Sequence, residues 1–477
     1  MNMEYGFLNP EQHFALELML AGENVFLTGE AGTGKSTLLR AFREKCDTER
    51  TVFLAPTGLA ASNIKGQTIH SFCHLKPGLQ TPDTLGELGS SRQRQLLSTV
   101  RTIVIDEISM VRSDVFSAID HRLREAATGI NRFRPFAGKQ VIVCGDFFQL
   151  PPVISTDTEE LYLQNYLGGK YPFQTRLWEE TEFHPLVLKQ VHRQGNDRLF
   201  MQILNNIRHG DVTQRNIVLP GSRIRLNSIA VLNKLCAGHP QDEVGTAQPI
   251  CLCTTRREAE EVNRRCSSRL DSREEIFKAQ IVGKFPEKDY PTAVNLVLQP
   301  GARVMTLVNK RNPDGTYEYI NGDLGVIAGI TCNQNGLGNV IVQFDDNRVS
   351  VIEPAKWSVY RYEQEWDRNS GRGLIKQIET GFFIQIPLRL AWAVTIHKSQ
   401  GMGFDRARLF LGNGCFASGQ LYTALSRCRS LEGLRLERKV YKEDTLVDTN
   451  VVNFYQQLEK SCHEENVSLK QLLTHSE

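Results

Sequence analysis

Eight residues, Gly29-Glu30-Ala31-Gly32-Thr33-Gly34-Lys35-Ser36, constrain this chain more than any other stretch. They fit G-x-x-x-x-G-K-[ST] at every fixed position. The apolar run Asn24 to Thr28 reads as a buried strand. Lys35 to Lys45 reads as a helix, with Leu38, Leu39 and Phe42 at three- and four-residue spacing. The glycines therefore fall where a strand turns into a helix. There the loop can curl its N–H groups inward, and the helix N-terminus adds partial positive charge for a phosphate. Gly32, Thr33, Gly34 and Thr37 belong to this cradle. Lys35 would reach the β- and γ-phosphates of a nucleoside triphosphate, and the Ser36 hydroxyl would take one Mg²⁺ position.

The stretches on either side build an open parallel α/β sheet around that loop. Asn9, Pro10 and Gln12 form a capped helix start, with Phe14, Leu18 and Leu20 as the expected apolar face. Gln12 has two readings, a capping amide or a reader of an adenine edge. Thr51 to Ala55 is a second strand, followed by Pro56-Thr57-Gly58. Thr102 to Ile105 is a third, ending in Asp106 and Glu107. The first carboxylate suits a metal and the second a base beside an attacking water. Gln140 to Cys144 is a fourth, leading to Gln149, placed to sense a γ-phosphate or orient water. Arg122, Arg124, Arg132, Arg134 and Lys139 outnumber the acids around them and read first as a solvated face, with a nucleic-acid patch as the alternative.

Composition limits the remaining choices. At 477 residues the chain has room for about three domains. A formal net charge of +2 announces no polyanion partner, so any nucleic-acid site must be a local groove. No apolar stretch is long enough to span a membrane, and the first residues show no basic n-region or apolar h-region, so a cytoplasmic location is expected. The 11 cysteines include no C-x-x-C pair and read as free thiols in a reducing compartment. His70, Cys73 and His74 lack a fourth ligand and are set aside as a zinc site.

A second α/β domain begins near residue 190, and after an irregular stretch from about 212 to 245 its parallel pattern restarts with a strand at Ile250 to Thr254. From 312 to 386 short alternating segments are separated by Asn-Gly and Asp-Asp-Asn turns, the texture of an antiparallel β insert. The α/β texture returns at Leu390, and one or two peripheral helices are expected at the end.

The ordered series LNPEQ, GEAGTGKST, APTGLAA, TIHSF, IDEISM, GDFFQLPP, HRQ, NGDLG, AVTIHKSQG and ALSRCRS resembles the superfamily 1 helicases. More narrowly it is similar to the petite integration frequency family of 5′→3′ DNA helicases, which are RecD-like, and it runs from residue 8 to 433. The resemblance implies two RecA-like motor domains in tandem, 1–188 and 189–311 with 387–440, the first with a small accessory element around 72–98. It also implies a small Src-homology-3-like β-barrel at 312–386 in the second, and a helical tail at 441–477. It makes Gln12 the adenine reader, and Lys35, Ser36, Asp106, Glu107 and Gln149 the ATPase centre with Mg²⁺. Arg193 and Arg427 become arginine fingers, and Gly401 lies near the γ-phosphate. Pro56, Thr57, Gly58, His70, Phe72, Thr395, His397 and Lys398 face single-stranded DNA. Gly403 departs from the family, which commonly carries Thr there. The implied protein is a minimal bacterial, nucleoid-associated monomer acting on single strands, forks or G-quadruplexes in repair, replication or recombination. The family is also tied to telomere maintenance. Two rivals remain: a superfamily 1 RNA helicase, and an ATPase that does not unwind.

Overall fold

Short runs of mostly apolar residues form the parallel strands of each half of the chain. The structure is a computed structural model, and it describes residues 8–190, 197–213, 217–218, 224–237, 249–314, 316–331, 338–367 and 372–460. The chain divides into two compact units. The first comprises Met1–His192, Tyr360–Glu379 and Asp448–Glu477, and the second Arg193–Val359 and Thr380–Val447.

In the first unit six parallel strands form one sheet: β1 (Val25–Gly29), β2 (Thr51–Ala55), β3 (Gln67–Thr68), β4 (Thr102–Ile105), β5 (Gln140–Cys144) and β6 (His184–Leu188). Their order is β3-β2-β4-β5-β1-β6. Strands β1 and β2 are buried at every position, as expected where helices cover both faces of a parallel sheet. Helix α1 (Pro10–Ala21) starts from an Asn9–Gln12 capping box and stops at Gly22, whose φ is 94°. It buries Gln12, Ala15, Leu16 and Met19, while Phe14 and Leu20, expected on the apolar face, are exposed. Apolar residues lie all round this helix, so spacing alone could not choose the buried stripe. Helix α2 (Lys35–Lys45) packs Leu38, Leu39 and Phe42 into the core with Val25, Leu27 and Phe53.

The basic stretch after β4 is not a solvated face throughout. Arg122 is buried, and its guanidinium donates to the carbonyls of Cys73, Leu85 and Gly86 and to Glu125. The Lys139 ammonium donates to the carbonyls of Ser98 and Val100. Both cations therefore hold the accessory segment around 73–100 in place. Arg132 and Arg134 are exposed.

Two distant segments complete this unit. Residues of the strands Ala355–Asp367 and Arg372–Gln385 bring Tyr362 beside β2, where its hydroxyl accepts the Phe53 N–H (3.1 Å) and its own N–H donates to Gln67 Oε1 (3.1 Å). Helical residues 449–460 bury Val451 and Tyr455 and set Phe454 among Phe26, Phe147, Phe173 and Trp178. The helix expected to be peripheral thus carries core residues, because its aromatics fill a gap that β1 and β5 leave uncovered. The expected helical tail beyond residue 460 lies outside the described residues.

The second unit has its own parallel sheet, ordered Ala393–Thr395, Ile250–Cys253, Ala407–Phe410, Leu434–Leu436. Beside it in sequence is an antiparallel sheet, ordered Val349–Ile352, Asn339–Phe344, Leu324–Thr331, Arg303–Thr306, Leu388–Leu390. Val304, Ile327, Val340, Val342 and Leu388 form its core. This sheet takes strands from both sides of 312–386, and its two outer strands are not paired with each other among the described residues. Among those residues no helix is long and apolar enough to cross a membrane.

Candidate nucleotide site

The phosphate loop takes its shape from two glycines that L side chains would strain. Gly32 and Gly34 have φ values of 88° and 85°, and Gly34 is the N-cap of α2. Gly29 is closed in: a Cβ there would come within 2.5 Å of the Leu188 carbonyl oxygen. Lys35 curls over the loop and donates to the carbonyls of Gly29 (2.8 Å) and Glu30 (3.0 Å). The Thr33 hydroxyl donates to Glu30 O, and Ser36 is exposed on the first turn of α2. Gln12 serves both capping and loop. Its amide oxygen accepts the Asn9 N–H, and its amide nitrogen donates to Thr33 O at 3.3 Å.

Parallel pairing brings the other expected groups to the same end of the sheet. Strand β5 lies between β4 and β1, with Leu27 opposite Cys144 and Ile105 opposite Val143. Asp106 leaves β4 and accepts the Glu107 N–H at 2.9 Å. Burial pushes the Asp106 carboxyl above its ordinary value. The Glu107 N–H, the Cys144 thiol and the positive charge of Lys35 pull against that rise. Lys35 and Asp106 thus feel one another across the site. Glu107 stands at φ 52°, a left-handed backbone uncommon outside glycine and concentrated at functional positions. Gln149 is buried, and its N–H donates to the Asp146 carbonyl. Sequence reading passed over Asp146, whose carboxylate accepts the Phe148 N–H. Its signal was an acid directly past an apolar strand.

The residues expected to face nucleic acid divide between the units. In the first, Pro56, Thr57 and Gly58 follow β2, and His70 and Phe72 follow β3, its neighbour at the sheet edge. The Thr57 hydroxyl caps the helix Gly58–Asn63 by accepting the Ala60 N–H. Phe72 is buried and meets Tyr362 edge-on, while His70 is half-buried. In the second unit Thr395, His397 and Lys398 leave the edge strand Ala393–Thr395. Lys398 is exposed, and burial holds the His397 imidazole below its ordinary value. Asn263, a residue the sequence did not single out, clamps that strand by donating to Ala393 O (2.8 Å) and accepting the Ala393 N–H (2.9 Å).

Arg427 is buried in the second unit. Its guanidinium donates to the carbonyls of Thr423, Ser399 and Met402 and to the Ser426 hydroxyl, so it fixes the turn that holds Gly401. Arg193 lies outside the described residues.

Residues 7–217 match the family model for PIF1-like helicases. The ATP-dependent DNA helicase Pif1 of Bdellovibrio bacteriovorus is 33% identical over 466 residues, covering 95% of this chain and 92% of that protein. The chain belongs to the PIF1-like helicases. A crystal structure of Bacteroides sp Pif1 in complex with ADP-AlF4 matches at 31% identity and a TM-score of 0.81, covering 96% of this chain and 98% of that one. Bacteroides Pif1 bound to single-stranded DNA matches at 33% identity and a TM-score of 0.63, over 95% and 97%. Within this family the α/β class read from the sequence holds, with RecA-like parallel sheets at its centre.

Proposed function

We propose that this chain hydrolyses ATP to move along single-stranded DNA in the 5′→3′ direction and separates duplex ahead of it. The observation that supports the reading is that Lys35, Asp106 and Gln149 follow β1, β4 and β5, neighbouring parallel strands, with the Lys35 charge acting on the Asp106 carboxyl. Adenosine would be held near Gln12, and the phosphates would replace the Gly29 and Glu30 carbonyls as partners of Lys35. Glu107 takes the proton of a water positioned by Gln149. The water oxygen then bonds to the γ-phosphorus as the bond to the β-phosphate oxygen breaks, giving ADP and phosphate. The exposed Ser36 hydroxyl and the Asp106 carboxylate fit Mg²⁺, which takes oxygen ligands and binds through few protein groups plus substrate phosphates. The ion would neutralise charge on the phosphates. Arg193 and Arg427 are the candidate fingers, a contribution worth roughly 10³–10⁵ in rate. Arg427 would exchange carbonyl partners for a phosphate oxygen to supply it.

Thr57 and His70 in one unit and Thr395, His397 and Lys398 in the other would grip the strand alternately. Opening a base-pair step takes about 1.4 kcal/mol, well within one ATP turnover. Forks and G-quadruplexes are the substrates proposed, the monomer the working form, and repair, replication or recombination in the cytoplasm the setting. Unwinding of 5′-tailed against 3′-tailed duplexes, with Lys35→Ala beside the native chain, tests the proposal. A 5′-tailed preference that disappears in Lys35→Ala is expected. A 3′ preference, unwinding by Lys35→Ala, or activity confined to RNA tails would overturn it.

A further inference from the structure

The phosphate loop and the Gln149 loop share a support that the mechanism above does not use. Thr28, the residue before Gly29, and Phe147, two residues before Gln149, end adjacent parallel strands or begin the loops after them. The hydroxyl of Tyr455, more than 300 residues away in sequence from both, sits between them. It lies 2.7 Å from Thr28 Oγ1 and accepts the Phe147 N–H at 3.2 Å. All three residues are buried. The Tyr455 ring stacks on Phe148 with centroids 4.6 Å apart, so packing fixes where the hydroxyl points. The same helix is anchored at its start, where Asp448 accepts from Tyr171 and Lys170, and at its middle, where Phe454 stacks on Phe173 at 4.3 Å.

We infer that Tyr455 is a positioning residue for ATP hydrolysis: its hydroxyl ties the start of the phosphate loop to the loop that aims Gln149. The chemistry needs the γ-phosphate and the attacking water in one geometry, and misplacement of about 1 Å can lower the rate as much as 10²-fold. A phenol oxygen that accepts from one loop and shares a proton with the other sets that separation. The ring alone cannot, since stacking tolerates sliding. The inference rests on the assignment of Lys35 and Gln149 to the ATPase centre.

The test uses the 477-residue chain and compares Tyr455→Phe, Thr28→Val, their double variant and Leu458→Ala, another buried residue of the same helix. Steady-state ATP hydrolysis with oligo-dT should show kcat down roughly tenfold in Tyr455→Phe, with KM for ATP and oligo-dT affinity unchanged. Thr28→Val, which breaks the same tie at its other end, should lower kcat likewise, and the double variant should be no slower than Tyr455→Phe, because that change already removes the Thr28 contact. Leu458→Ala should lower the thermal midpoint and leave kcat at 20 °C (roughly) untouched. If Tyr455→Phe fails to fold, Thr28→Val set against Leu458→Ala carries the same contrast. Native kcat in Tyr455→Phe or Thr28→Val, additive losses in the double variant, or an equal kcat loss in Leu458→Ala would overturn the inference. Turnover in Lys35→Ala would instead remove the ATPase assignment beneath it.

Discussion

Lys139 shows how a residue that looks like surface charge becomes structural. Burial lowers its ammonium to about 8 from the ordinary lysine value, while the carbonyls of Ser98 and Val100 take its protons. Between about 8 and 10.5 the unfolded chain binds more protons at this position than the folded one, so stability rises with pH across that window. Below it the full burial penalty is present. Lys139→Met lacks this term, so urea midpoints of native and variant protein should diverge in favour of the native as pH rises from about 7.5 to 10. A native-minus-variant midpoint that stays constant or falls as pH rises would show that the amine is not held this way. Charge counting in the stretch could not reveal this, because the acceptors are backbone carbonyls from a segment some 40 residues earlier. The phosphate loop was legible for the opposite reason. Its glycines, lysine and serine are required by local backbone geometry and by contact with phosphate, both written in eight consecutive residues.

At the scale of elements, strands were legible and their docking was not. Period and composition marked β1, β2, β4 and β5, and the parallel pairing of four such strands followed from the helices between them. What the neighbouring strands Ala355–Asp367 and Arg372–Gln385 do depends on Tyr362, one aromatic among several on an alternating strand. Its ring closes over Phe72 and its hydroxyl is the acceptor for the Phe53 amide. Tyr362→Phe keeps the ring and leaves that buried amide unpaired, a loss of about 1–3 kcal/mol. Hydrogen exchange at Phe53 should quicken while exchange at the Ile250–Cys253 strand stays as it was. Equal quickening at both strands would assign the effect to general loosening. The α1 face belongs with these cases: only tertiary packing chose Ala15, Leu16 and Met19 over Phe14 and Leu20.

For the whole molecule, a formal net charge of +2 leaves little long-range attraction for a polyanion. Affinity for single strands then comes from individual phosphate contacts, and each one removed should flatten the salt dependence of binding by a fixed amount. Exposed Lys398 is such a contact in the proposed function. Lys398→Ala should reduce the slope of log Kobs against log salt by about 0.7 and weaken all sequences alike, measured by fluorescence anisotropy with oligonucleotides of different composition. An unchanged slope would remove Lys398 from the DNA face.

The first unit is assembled from three separated pieces of chain, and the last of them supplies Tyr455 and Phe454. A ribosome making this protein from its N-terminus therefore releases the loop bearing Lys35 hundreds of residues before the helix that braces it. Until then Phe26, Phe147 and Trp178 lack the Phe454 ring they pack against. On the inference above, a chain that has not yet reached Tyr455 carries the phosphate loop without its brace.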